Sequence, residues 1–212
     1  MIFTIQTINS QRRAILAIIL LALLLVLWLE RERIFGPSVN PQTAAYIAVE
    51  ATRIPLAGFN SYDPPHTVLA QLQAAGYKPR VTHDDYPDSP RYPPHKMDTI
   101  TVNDYRHLVG KGTLILDFFN QRLYEAEFDP EGNLDHYVTA LHQSLPKLRR
   151  DRVGEAVLVD GNLRISSSVD LARSLVGRTL DSKAYVIWQD LRLIQQRNLW
   201  DKNYGSIPIA PN

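Results

Sequence analysis

Ala14 to Leu29 reads AILAIILLALLLVLWL, without a charge, a proline, a glycine or a polar side chain. Arg12 and Arg13 precede it, and Glu30-Arg31-Glu32-Arg33 follows. No other stretch constrains the fold so strongly, because a run of this kind must leave water as a whole. As a helix it spans about 24 Å, short of the roughly 30 Å hydrocarbon core. Ile34 and Phe35 lie just beyond the charged cluster and extend the apolar contact. Arginines at both ends can snorkel, and Trp28 suits the interface.

Residues 14–35 therefore read as a single transmembrane signal-anchor in contact with the lipid bilayer, with Arg12, Arg13, Trp28, Arg31 and Arg33 as membrane-flanking residues. The competing readings are a cleaved signal peptide and a buried soluble helix. Against cleavage stands the following sequence, WLERERIFGP, which offers no small-x-small site. Orientation rests on a thin margin, Arg12, Arg13 and the chain amine against Arg31 and Arg33, and the short N-terminal tail favours N-inside. This places residues 1–13 in the cytoplasm and residues 36–212 in the periplasm, on a bacterial inner membrane.

Residues 1–33 carry four Arg against two Glu, and the rest of the chain carries 19 Lys and Arg against 20 Asp and Glu. The outer part is thus near neutral and lacks the electrostatic footprint of a nucleic-acid binder. There is no Cys, which excludes disulfides, thiol catalysis and Cys-ligated zinc.

Beyond the anchor the signals are short and alternate between types. Residues 36–63 read as a linker and a first helix, opened by Pro41 and running to about Arg53. Pro64 and Pro65 open a second helix that Gly76 ends. Pro87, Pro90, Pro93 and Pro94 forbid helix and central strand alike, leaving an extended loop. A short helix is expected over about 103–109, capped by Asn103 or Asp104. Thr113–Phe119 and Arg122–Phe128 form the clearest hairpin, turning at Asn120-Gln121. A helix follows over Leu134–Ser144, then a hairpin over 156–165 with its turn at Asp160-Gly161. Ser167 or Ser168 caps a helix to Val176, and a third hairpin is expected over Tyr185–Gln189 and Arg192–Arg197.

His107–Leu114 resembles Ser174–Leu180, and Arg122-Leu123 matches Arg192-Leu193. This spacing divides the outer part into two tandem α–β units of about 70 residues, 64–130 and 131–204, packed together and followed by an irregular tail, 205–212. The expected class is α+β: one transmembrane helix, then an antiparallel-sheet and helix domain. That arrangement is similar to beta-lactamase-inhibitor-type and outer-membrane-assembly lipoprotein domains, a likeness of fold that carries no functional residue with it.

No P-loop, G-x-G-x-x-G or G-x-S-x-G occurs, so no catalytic residue and no cofactor is expected. His83 and Asp85 are the candidate metal ligands, although no helical spacing fixes them. Tyr86, Arg91, Tyr92 and Pro93 are the candidate partner-binding residues, since a proline-rich segment loses little entropy on docking. The leading reading is a membrane-anchored, non-catalytic domain that binds a protein or a cell-envelope component. The alternatives are a tethered metal-dependent enzyme using His83 and Asp85, and a structural subunit of a membrane complex.

Overall fold

The computed structural model describes residues 41–150, 155–175 and 183–206. In chain order the elements are α1 (Pro41–Ile47), β1 (Pro55–Leu56), β2 (Phe59–Asn60), α2 (Pro65–Ala74), β3 (Arg80–Asp85), β4 (Lys96–His107), β5 (Gly110–Phe119) and β6 (Arg122–Glu131). They continue with α3 (Leu134–Ser144), β7 (Arg149–Arg150), β8 (Ala156–Asp160), β9 (Leu163–Ser167), α4 (Val169–Leu175), β10 (Val186–Asp190) and α5 (Leu191–Tyr204).

Eight strands form one antiparallel sheet in the order β3-β4-β5-β6-β10-β9-β8-β7. Its cross-strand register explains the core. Ile100 faces Leu116, Leu116 faces Ala126, Ala126 faces Trp188 and Trp188 faces Ile165. The parallel row runs Val102, Leu114, Phe128 and Val186. Alternation at period two puts both rows on one face, where Val68 and Leu72 of α2 and Tyr137, Val138 and Leu141 of α3 join the same buried cluster. A smaller cluster of Tyr62, Phe119, Tyr124, Leu193 and Trp200 brings α5 against the strand ends.

The structure corrects the expected fold class. Strands of the two supposed units do not close separate sheets: β6 pairs directly with β10, Glu127 opposite Ile187, so one sheet-dominated body replaces two tandem units. The aligned segments are not equivalent either. Residues 103–107 continue β4, with a register shift between Val102 and Tyr105 and a positive φ of 59° at Asp104, where a helix was expected. The second arm of the third hairpin is helix α5. Asp190 caps it, its Oδ1 accepting from the Arg192 amide at 3.0 Å, and a satisfied first turn outweighs the strand-like alternation of Leu191 and Leu193.

The anchor, Ala14–Leu29, with its flanking Arg12, Arg13, Trp28, Arg31 and Arg33, lies outside the described residues. Among those described, no helix is long and apolar enough to cross a membrane. The transmembrane, signal-anchor and inner-membrane description accordingly has no support in this structure.

The first helix also ends early, at Ile47 instead of Arg53. The carbonyls that would continue it are taken by side chains. Asn120 Nδ2 and Arg122 Nη2 both donate to Tyr46 O, Arg122 Nη1 to Ala48 O and Arg192 Nη2 to Thr52 O. Residues 48–53 thus form a strap held by arginines from β6 and α5.

At Gly112 the β6 backbone leaves no room for a side chain on β5. A Cβ there would lie 2.0 Å from the Asp129 carbonyl oxygen, and backbone on both sides leaves nothing to yield. Gly112→Ala is expected to destabilise the fold by about 1–3 kcal/mol, read as a shift of the urea midpoint at constant slope. An unchanged midpoint would refute this close approach.

Candidate functional site

A hollow opens on the core face, at the end of β4. The two-residue turn Leu108-Val109 carries the chain into β5, with φ of 53° at Leu108. Tyr105 and His107 line the hollow from β4, and the β1–β2 turn contributes Ala57 and Gly58. Helix α3 supplies Leu141 as one wall, and Ile165 and Trp188 of the sheet also line it. The cavity measures about 450 Å³, within the range of side-chain and small-molecule sites. Gly110 lets the hairpin sit this close to α3, since a Cβ there would stand 2.6 Å from the Tyr137 ring.

His107 is its polar centre. The ring lies 5.1 Å from both Phe128 and Trp188, and Nδ1 shares a 2.8 Å hydrogen bond with Tyr137 Oη. Burial pushes its pKa down to about 4, because the imidazolium would be stripped of water with no carboxylate beside it. The imidazole is therefore neutral at pH 7, and an apolar guest meets no cation at this ring.

A second hollow of about 280 Å³ lies beside the first, lined by Val109, His136, Thr139, Ala140 and Gln143. Leu108 lines the one and Val109 the other, and they are 46% and 67% exposed. The hairpin tip is thus an apolar knuckle between two depressions.

The opposite face of the sheet is chemically different. Thr99, Asp117, Glu125 and Gln189 form one cross-strand row. Burial raises the pKa values of Asp117 and Glu125 and takes Asp129 up to about 6. Lys183 Nζ bridges Glu127 at 3.0 Å and Asp129 at 2.7 Å, and Gln189 Nε2 donates to Glu125 at 2.6 Å.

The residues singled out in the sequence fall elsewhere. His83 lies on edge strand β3, its Nδ1 hydrogen-bonded to the buried Asp98 carboxylate, which also accepts from Gln121 Nε2 at 3.0 Å. Asp85 Oδ1 accepts from the Met97 amide at 3.2 Å. Pairing with β4 engages both residues locally, and no group of three metal-ligating side chains occurs among the described residues. Tyr86, Tyr92 and Pro93 pack on the chain's own helix α5. Trp200 Nε1 donates to Pro93 O at 2.9 Å, and its ring lies 4.9 Å from Tyr86 and 5.7 Å from Tyr92. Of that set only Arg91 is exposed. Ser166, Ser167 and Ser168 are buried, and Ser168 Oγ donates to Lys183 O at 2.6 Å.

His107 and the knuckle were not foreseen, because the sequence around them reads as a short helix. The available signal was Leu108-Val109 followed by Gly110-Lys111-Gly112, an apolar pair before a glycine-bracketed strand start. No family model matches the chain, and no curated protein is significantly similar to it.

Proposed function

We propose that this protein is a non-catalytic binding module that holds a partner polypeptide on the face built from the β4–β5 hairpin tip and α3. The observation that carries the reading is the exposed pair Leu108 and Val109 set between two hollows. A small ligand needs one cavity, whereas paired depressions around an apolar knuckle suit a polypeptide that lays a side chain in each. An uncharged His107 at the groove centre favours apolar anchors over acidic ones. The proline-rich loop is not the leading surface, because Trp200 and Tyr86 already occupy its apolar side.

The test compares two variants of the full chain, tagged and recovered gently from native cells. Leu108→Asp/Val109→Asp is expected to lose a stoichiometric partner that wild type retains, while Arg91→Ala/Tyr92→Ala keeps it. Both changed side chains in the first variant are exposed, so its thermal midpoint should stay near wild type. Recovery of wild type alone, or a partner that survives the aspartate pair, would sink the proposal. Loss with the loop variant only would return the site to residues 86–93.

A further inference from the structure

Arg122 is 1% exposed, yet no carboxylate pairs with it among the described residues. Its Nε donates to Phe119 O at 3.3 Å, Nη1 to Ala48 O at 2.9 Å and Nη2 to Tyr46 O at 2.5 Å. A guanidinium has five N–H groups, so two are left without an acceptor among the described residues. The group lies 5.9 Å from the Tyr62 ring centre and 5.7 Å from that of Phe119. Buried charges are ordinarily paired, because leaving water uncompensated is costly. The largely buried Arg192 does follow that rule, pairing with Asp190 and Glu50, and the more exposed Arg53 pairs with Asp63.

A second buried group points the same way. Tyr62 is 2% exposed, and its hydroxyl has no hydrogen-bond partner. Buried hydroxyls almost always have one. Tyr62 and Arg122 line the same cavity, which measures about 430 Å³. Ile47 of α1, Val49 of the strap and Pro64 give it an apolar side, and Arg53, Asn120 and Gln121 complete the lining.

We infer that this cavity binds a carboxylate carrying an apolar group. The carboxylate takes the two remaining N–H groups of Arg122 and the Tyr62 hydroxyl, and the apolar group lies on Ile47, Val49 and Pro64. An anion satisfies at once the unmatched charge and the unmatched donor, whereas a neutral guest satisfies neither the charge nor the fork geometry. The apolar side formed by Ile47, Val49 and Pro64 favours an anion that carries an apolar group over a bare inorganic ion. Free fatty carboxylates and polypeptide C-termini share this chemistry.

The full chain, isotopically labelled at Ile and Val methyls, is titrated with 4-methylpentanoate, its amide, a short peptide ending in leucine and the same peptide amidated. Saturable shifts of the Ile47 and Val49 methyls are expected with the two acids. Binding to the amides should be weaker by about tenfold or more. Tighter binding of the peptide acid assigns the site to a C-terminus, and tighter binding of 4-methylpentanoate to a free acid. Tyr62→Phe removes only the hydroxyl and is expected to weaken the acids several-fold. Arg122→Met, close in volume, should abolish them. Should that variant not fold, Tyr62→Phe and the acid–amide ratio decide alone. Equal affinity for acid and amide, or no saturable shift at Ile47 and Val49, would overturn the inference.

Discussion

Replacing Trp200 with alanine is expected to cost about 3–5 kcal/mol and to loosen the proline-rich loop before the rest of the molecule. The indole is fully buried. It lies 4.1 Å from the His95 ring, 4.9 Å from Tyr86, and 5.7 Å from Tyr92 and Tyr204, so alanine leaves a cavity bounded by four rings. The substitution also removes the Nε1 donor that serves Pro93 O, leaving a buried acceptor unsatisfied. Residues 86–95 are otherwise held by scattered contacts: His95 Nε2 lies 3.7 Å from Asp201, Lys96 3.8 Å from Asp88, and the His95 ring 5.4 Å from Phe119. Asn120 Nδ2 donates to Pro94 O at 2.8 Å, and the Tyr86 amide to His95 O at 3.0 Å. Local opening should therefore appear at the Tyr86 amide, as hydrogen exchange several-fold faster than in the β5 and β6 amides. Trp200→Phe keeps a ring and loses the donor, so it should fall between wild type and alanine. A Trp200→Ala protein within about 1 kcal/mol of wild type, or one whose loop keeps its protection, would show that α5 does not hold the loop.

That contact also shows where sequence reasoning reached and where it stopped. Local signals were legible. Asn133 accepts from the Asp135 amide at 2.9 Å and opens α3 over the expected residues. The β5–β6 hairpin turns at Asn120-Gln121, both at positive φ, as an asparagine before an alternating arm suggests. What failed was non-local. Trp200 and Pro93 are 107 residues apart, and nothing local to the loop shows that its apolar side is already covered. The same holds for β6 and β10, whose pairing joins strands about 60 residues apart into one sheet. Helix α5 was misread for a different reason. Leu191, Leu193 and the arginine between them alternate like a strand, while the cap, Asp190, reads equally well as a turn residue. The strap was illegible because its carbonyls are satisfied by Arg122 and Arg192, residues more than 70 positions away. The hollows inherit that difficulty, since Ala57, His107, Leu141 and Trp188 converge only once the sheet exists.

Acid should expose the second large effect, at His107. Its pKa is about 4 in the folded protein against 6.5 in an unfolded chain. Between those values the unfolded state binds more protons, so stability rises with pH through the window and is lost as pH falls from about 6.5 towards 4. The full shift corresponds to about 3 kcal/mol, trimmed towards 2 by water at the groove mouth. His95, also pushed down by burial, adds to the loss with the same sign. Asp129 opposes it: with a folded pKa of about 6 against 3.8, the native state keeps a proton that the unfolded chain releases, and that contribution fades as pH rises. Asp117 and Glu125, raised by burial, act in the same direction as Asp129. The wild-type curve alone therefore mixes opposing terms, and the informative quantity is the stability difference between wild type and His107→Gln. Glutamine keeps a polar group near Tyr137 Oη but does not titrate. The difference should be constant above about pH 7 and shrink by about 2–3 kcal/mol by pH 4, measured by urea unfolding at half-unit intervals. Parallel curves would mean that the imidazole reaches water and protonates freely in the fold. In that case the groove would carry a cation under mildly acidic conditions, and an apolar anchor would no longer be its best guest.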